Sequence, residues 1–236
     1  ANATNARPNQ LAADTAINQS TGTFTFDPST NAAHAGSFKA RLSASDGITH
    51  ATRFVNFTLA FSVTGEILLA AGGGGGNEDA GGGGGAGGLV LNTNYTFPSG
   101  TTFNIVVGAG GAKSSGQSDR GSAGSNSTFS EGSTLVYTAT GGAGGGPYPA
   151  GGTKDGGSGA GAGRATSGQA GAATQASYGG LGFGNAGGDD DSGNQGAGGG
   201  GGAGGAGDNG VPAQGGDGGA GKASTITGSS VFYSPG

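Results

Sequence analysis

Ile67-Leu68-Leu69-Ala70-Ala71 runs straight into five glycines at 72–76; after Asn77-Glu78-Asp79-Ala80 come five more at 81–85, then Ala86-Gly87-Gly88. A short apolar strand that feeds two glycine blocks limits what the backbone can do. Glycine loses more conformational freedom on folding than any other residue and brings no side chain to bury. Such a block is either a linker or a segment packed backbone against backbone, where a Cβ would be in the way. Packing suits extended, polyproline-II-like segments, which make no hydrogen bonds of their own and need neighbours to receive them. We read a bundle of such segments.

Composition sets the outer limits. The chain has 236 residues with 62 Gly, no Cys, Met or Trp, 10% charged residues and a net charge of -5. That much glycine without a strict three-residue period excludes collagen. Charge is too sparse for a self-repelling disordered tail. Nine Lys and Arg spread thinly over an acidic chain give no electrostatic footprint for nucleic acid, so that partner is excluded. No apolar run is long enough to predict membrane insertion. The chain opens on Ala1 without a signal peptide, the start expected of a truncated chain or of a mature one whose leader has been removed. Absence of cysteine does not choose the compartment.

Only Gly22, Gly36 and Gly47 precede residue 64, so 59 of the 62 glycines fall in the remaining 173 residues. The shift marks a domain boundary. Three parts are predicted: an extended N-terminal arm at 1–22, a partial β-sandwich at 23–63 and a glycine-rich domain at 64–236. The arm holds few large apolar residues, Leu11 and Ile17 among them, and reads as extended chain or one weak strand. Thr23-Phe24-Thr25-Phe26 is a strand closed by the turn sequence Asp27-Pro28-Ser29-Thr30. From Ser37 to Ala44 polar and apolar residues alternate, which sets Phe38, Ala40, Leu42 and Ala44 inward. Ser45-Asp46-Gly47 turns the chain. A long third strand over 52–63 then places Val55, Phe57, Leu59 and Phe61 on the core face.

Residues 23–28, 35–47 and 53–61 resemble the cadherin-like or immunoglobulin-like repeats of large secreted bacterial and phage proteins, in which a TFTFTP strand precedes AGTFTATFTASDG. The resemblance covers about forty residues and implies a sandwich fold. Sandwiches of that kind need about seven strands and about a hundred residues. Three or four strands in 63 residues leave an apolar face and a bare edge, which invite pairing with another chain. The missing strands are expected from the glycine-rich part or from the arm of a neighbouring subunit.

In the second part a strand repeatedly feeds glycine. Leu89-Val90-Leu91 and Tyr95-Thr96-Phe97 are short strands, 102–107 runs into Gly108-Ala109-Gly110-Gly111, and 127–129 with 133–139 leads to the block at 141–146. Between 147 and 221 glycine, alanine and serine dominate, and 223–228 and 231–233 supply closing strands. Residues 67–89, 104–112 and 126–146 resemble, in order, the glycine-rich domain at the ends of phage tail-fibre and marine bacterial surface proteins. The domain is also similar to the extracellular glycine-rich domain of anaplastic lymphoma kinase receptors, which carries cysteines that this chain lacks. Those resemblances imply an all-β framework of short strands with packed polyglycine II helices, and an extracellular fibre or adhesin context.

Chemical motifs carry little. Gly216 to Lys222 spaces glycines and a lysine like a phosphate-binding loop, but Ala223 stands where the metal-binding hydroxyl belongs. His34 and His50 are isolated, and no cluster has zinc-ligand spacing. Serine is abundant without a nucleophile elbow. Neither cofactor nor metal is expected, and the sequence gives no enzyme. Asp189-Asp190-Asp191 lacks the spaced carboxylates of a calcium loop and reads as a solvated loop tip. Asn2, Asn18, Asn56, Asn94 and Asn126 open Asn-X-Ser/Thr sequons, candidate N-glycosylation sites if the chain passes through a glycosylating cell; Asn56 is best placed. Two functions are expected: the self-assembling subunit of an extracellular filament, or a fibre-tip adhesin for a host receptor or surface glycan. The second would use loops at 113–125, 147–154, 178–183 and 189–195, with Tyr148, Tyr178, Phe183, Asp189, Asp190 and Asp191 as contact residues. Burial of Tyr148 and Tyr178 would favour the first.

Overall fold

The computed structural model describes residues 15–17, 24–26, 36–45, 47–116, 118–148, 155–164, 168–192 and 196–236. Among them the regular structure is all β, in small antiparallel sheets. The chain divides into two compact units, Ala1–Val63 with Thr96–Gly100, and Thr64–Tyr95 with Thr101–Gly236.

In the first unit β1 (Thr15–Ile17), which falls within the predicted arm, pairs antiparallel with β2 (Phe24–Phe26). The alternating stretch forms β3 (Gly36–Ser45), which pairs with β4 (His50–Leu59) along its whole length. Gly47 makes the turn with φ +92°, its N–H donated to Ser45 Oγ at 3.1 Å. The register sets Phe38 opposite Phe57, Ala40 opposite Val55 and Leu42 opposite Arg53, and on the other face Lys39 opposite Asn56 and Arg41 opposite Phe54. Phe38 and Phe57 stack with centroids 5.5 Å apart, and Lys39 Nζ lies 4.8 Å above the Phe54 ring. The strand predicted to 63 ends at Leu59. Its expected core face is not a core: Val55 is 46% exposed, and Phe57 and Leu59 are only half-buried. The side chains of Ala40, Leu42 and Ala44, also expected inward, lie outside the described residues, as does His34.

The second unit has β5 (Val63–Ala70) and β6 (Leu89–Phe97), with the two-residue β10 (Gly182–Phe183) on the far side of β6. The two strands predicted at 89–91 and 95–97 are thus one. A second sheet joins β7 (Phe103–Val106), β8 (Ser127–Glu131) and β9 (Thr134–Ala139). Gly132 turns β8 into β9 with φ +56°, and β11 (Lys222–Ser224) pairs with β12 (Val231–Tyr233). Alternation in β5 buries Ile67 and Leu69. Leu89 and Val90 are fully enclosed, and Tyr95 and Phe129 complete the apolar centre with small Ala86, Ala139 and Ala143.

Beyond the strands the glycine blocks bond to one another. Gly72 and Gly75 donate to Ser125 and Ser122 carbonyls at 3.0 and 2.9 Å. Their own carbonyls accept from Gly142 and Gly145, both at 2.9 Å. Gly73 and Gly76 carbonyls accept from Gly111 and Ser114 at 2.8 and 3.1 Å, and Gly74 donates to Gly85 at 2.9 Å. Contacts to one neighbour thus recur every third residue while successive residues address different neighbours. That is not the two-residue alternation of a β ladder. Close approach requires glycine: a Cβ on Gly74 would stand 2.0 Å from the Ala143 carbonyl oxygen, and one on Gly72 1.9 Å from that of Ala109.

Candidate functional site

The predicted contact residues are mostly committed to the fold. Tyr178 stands at the tight turn before β10, where Gly180 and Gly182 both donate to the Ser177 carbonyl at 2.8 Å. It has φ +44°, a conformation that costs a bulky residue free energy. The turn swings its ring edge-on to Tyr137, centroids 5.2 Å apart, and its hydroxyl accepts the Thr138 N–H at 2.9 Å. Gln175 flanks it: Oε1 accepts from Thr140 N–H at 2.8 Å and Nε2 donates to the Thr138 carbonyl at 3.1 Å. The two side chains occupy the outer edge of β9. Tyr178 is half-buried, as is Tyr148, whose ring lies 5.6 Å from the Arg164 guanidinium carbon.

The Asp189–Asp191 run is solvated only in part: Asp189 is exposed, while Asp190 is buried and Asp191 half-buried. Asp189 Oδ1 accepts from Ala170 N–H at 2.7 Å, and Asp191 Oδ1 from Gly196 N–H at 3.0 Å. Asp190 is 8% exposed. Glycine segments leave backbone amides that need acceptors, and these carboxylates supply them. Among the described residues no three His, Cys, Asp or Glu converge as metal ligands. The loop at 113–125 is tied down too: Ser114 is buried, its Oγ donating to Asn77 Oδ1 at 3.0 Å and accepting Glu78 N–H at 2.8 Å. Lys113 pairs with Glu78 at 2.5 Å, an exposed ion pair that contributes little. In the phosphate-loop look-alike, Gly216 and Gly219 give their amides to Ala197 and Gly200 carbonyls, both at 2.8 Å. Those two amides are committed to backbone acceptors.

Phe183 keeps access to solvent. It lines an open cleft of about 290 Å³ with Asn185, Ala203, Lys222 and three glycines, and Lys222 Nζ lies 4.3 Å above its ring. Of the sequons, Asn56, Asn94 and Asn126 are exposed. Asn126 Oδ1 accepts the Gly141 N–H at 2.8 Å, which ties its carboxamide oxygen to the glycine block at 141–146. Asn2 and Asn18 lie outside the described residues, as do most of the loop at 147–154 and part of that at 189–195.

Sequence reasoning missed an aromatic cluster. Tyr95 meets Phe129 edge-on at 5.3 Å, Phe103 stacks on Phe129 at 5.5 Å, and Tyr137 links them to Tyr178. Tyr95 donates its hydroxyl to Glu131. Burial first, then that carboxylate, pushes the phenol up to about 12. The spacing of Tyr95, Phe129 and Tyr137 at strand positions was the only available signal.

A β frame whose strands run into a hydrogen-bonded glycine lattice, with its polar loop groups turned onto backbone, defines a glycine-rich domain. The model of the family described as Glycine-rich domain matches residues 53–235, and the chain belongs to that family. No characterised protein and no solved structure matches it. No described helix is long and apolar enough to cross a membrane.

Proposed function

We propose that the chain is a structural subunit of a self-assembling extracellular filament or fibre. In this reading the glycine lattice is a bundle of packed polyglycine II helices forming a stiff body, and subunits join through the first unit, a partial cadherin-like or Ig-like repeat. The observation that carries it is the pair of two-stranded sheets in that unit. Two strands bury too little to stand alone in water, and their open edges accept further strands. Because β1 pairs with β2 within one chain, donation is exchange: the same ladder forms between copies, with little difference in contact energy. The half-burial of Tyr148 and Tyr178, with the Tyr178 hydroxyl bonded to β9, supports this over adhesion.

Negative-stain electron microscopy with light scattering tests the reading on the whole chain and on one lacking residues 1–19. Filaments that fall to monomers without the arm are expected. Discrete monomers or trimers from both would overturn it. The second reading, a phage tail-fibre-like adhesin for a host receptor or glycan, draws on the open cleft at Phe183 and Lys222. A glycan-array signal lost on Phe183→Ala would favour it. If secreted through a glycosylating cell, the chain is expected by mass spectrometry to carry sugar at the exposed Asn56, Asn94 and Asn126, least at Asn126, whose carboxamide oxygen already holds the Gly141 N–H.

A further inference from the structure

Strand β7 is an edge of its sheet, with β8 on one side only. The Thr102 carbonyl accepts the Gly132 N–H at 2.7 Å, and the register sets Asn104 opposite Ser130 and Val106 opposite Thr128. Bonding alternates along an antiparallel strand. The even-numbered residues therefore face β8, and the amides and carbonyls of Ile105 and Val107 point away from it. Among the described residues nothing bonds to them. Ile105, Val106 and Val107 are 64%, 57% and 78% exposed. On the opposite edge of this sheet, Tyr178 and Gln175 side chains occupy the outward amides of β9; β7 has no such guard. It holds no proline, and residues 80–112 carry no charge, so the usual devices that keep a strand edge from pairing are missing.

We propose that β7 pairs antiparallel with β7 of a second copy of this chain, about a two-fold axis at Ile105, which joins the two three-stranded sheets into one. In that register the strand is its own complement. Ile105 stands opposite Ile105 of the other copy, and the two exchange N–H and C=O. Val107 falls opposite Phe103, so each residue on that face meets an apolar one across the axis. Strands β3, β4 and β5 would instead set Lys39, Arg41, Arg53 or Glu66 against the uncharged edge. The contact goes beyond the filament reading. It uses the same surface on both copies and closes on itself, so it joins two bodies side by side rather than extending a filament. A few residues on each side hold free chains only weakly, and repetition along two filaments multiplies the contact.

The chain has no cysteine, so single introduced thiols report the register. In the whole chain, Ile105→Cys places two thiols on facing residues whose Cα atoms stand about 5.5 Å apart, within disulfide reach. Val107→Cys, at the more exposed position, leaves them about 14 Å apart. On mild oxidation, disulfide dimer is expected to form at least ten-fold faster from Ile105→Cys than from Val107→Cys, read on non-reducing gels. Equal rates, or a faster Val107→Cys, would mean collision alone and overturn the pairing. Amide exchange of the unaltered chain needs no variant: protection at Ile105 and Val107 is expected to rise with protein concentration. Protection absent at every concentration would overturn the pairing. Protection already complete at the lowest concentration would overturn it in favour of a cover from the same chain. Each of these failures leaves the filament reading standing, because that reading rests on the first unit and not on β7.

Discussion

Gly74 and Gly76 are two residues apart in one block, and chemistry gives them no difference. Their surroundings do: a Cβ on Gly74 meets the Ala143 carbonyl oxygen at 2.0 Å, and one on Gly76 meets nothing within 4 Å. Gly74→Ala is therefore expected to cost at least about 2 kcal/mol, since backbone on both sides must shift. Gly76→Ala should be neutral or stabilise by about 0.4–1 kcal/mol through the unfolded chain. Denaturant unfolding of both variants checks this, and equal effects would contradict a close-packed block. The sequence declares that the block packs but not which glycine is crowded, because the partner lies some seventy residues on and no side chain encodes the pairing. Tyr95 is a second residue whose behaviour depends on its setting. With its pKa raised from 10 to about 12, the folded state holds the phenol proton more tightly than the unfolded chain does. The stability this contributes is complete below pH 10 and lost as pH climbs toward 12. Tyr95→Phe is expected to cost about 1 kcal/mol at neutral pH and to flatten the decline between pH 10 and 12. A decline of unchanged steepness would show that other groups cause it.

Strand β9 shows how an element's edge is managed. Its inner edge pairs with β8, and outward the Thr138 and Thr140 amides are accepted by Tyr178 and Gln175 side chains. Side chains replace a missing strand, so the edge offers less to a passing chain. Amide exchange separates the two. Tyr178→Phe is expected to lower protection at Thr138 while sparing Thr140, and Gln175→Ala to do the reverse, each at about 1 kcal/mol. Unchanged protection in both would mean that solvent, not these side chains, serves the edge. The strand itself was legible, because 133–139 is bounded by Gly132 and the block at 141–146. Its guard was not: Gln175 and Tyr178 sit in glycine- and alanine-rich text, and Gly88, beside Gln175 Oε1, bears no sequence mark of making room for it. For the same reason Asp189–Asp191 reads as solvated by composition, while the Ala170 and Gly196 amides hold the Asp189 and Asp191 carboxylates and Asp190 is buried.

At the scale of the molecule the second unit is stabilised by a ratio of terms unlike that of an ordinary domain. Leu89 and Val90 are its only large apolar side chains fully enclosed among the described residues, whereas segment after segment exchanges backbone hydrogen bonds at 2.7–3.3 Å. Apolar surface exposed on unfolding raises heat capacity, and peptide surface lowers it. A body that buries mostly peptide should therefore unfold with a heat-capacity change well below the usual ~12–15 cal/mol/K per residue. Its stability curve is then flatter, so the body keeps its stability over a wider temperature range than a domain of equal length with an oily core. Scanning calorimetry over residues 64–236, compared with the whole chain, checks the argument. A per-residue value in the ordinary range would mean that the aromatic cluster and the β5–β6 sheet, not the glycine lattice, dominate the folded state. A low value would place the determinant of stability in backbone packing, where any Cβ added at a crowded glycine weakens it.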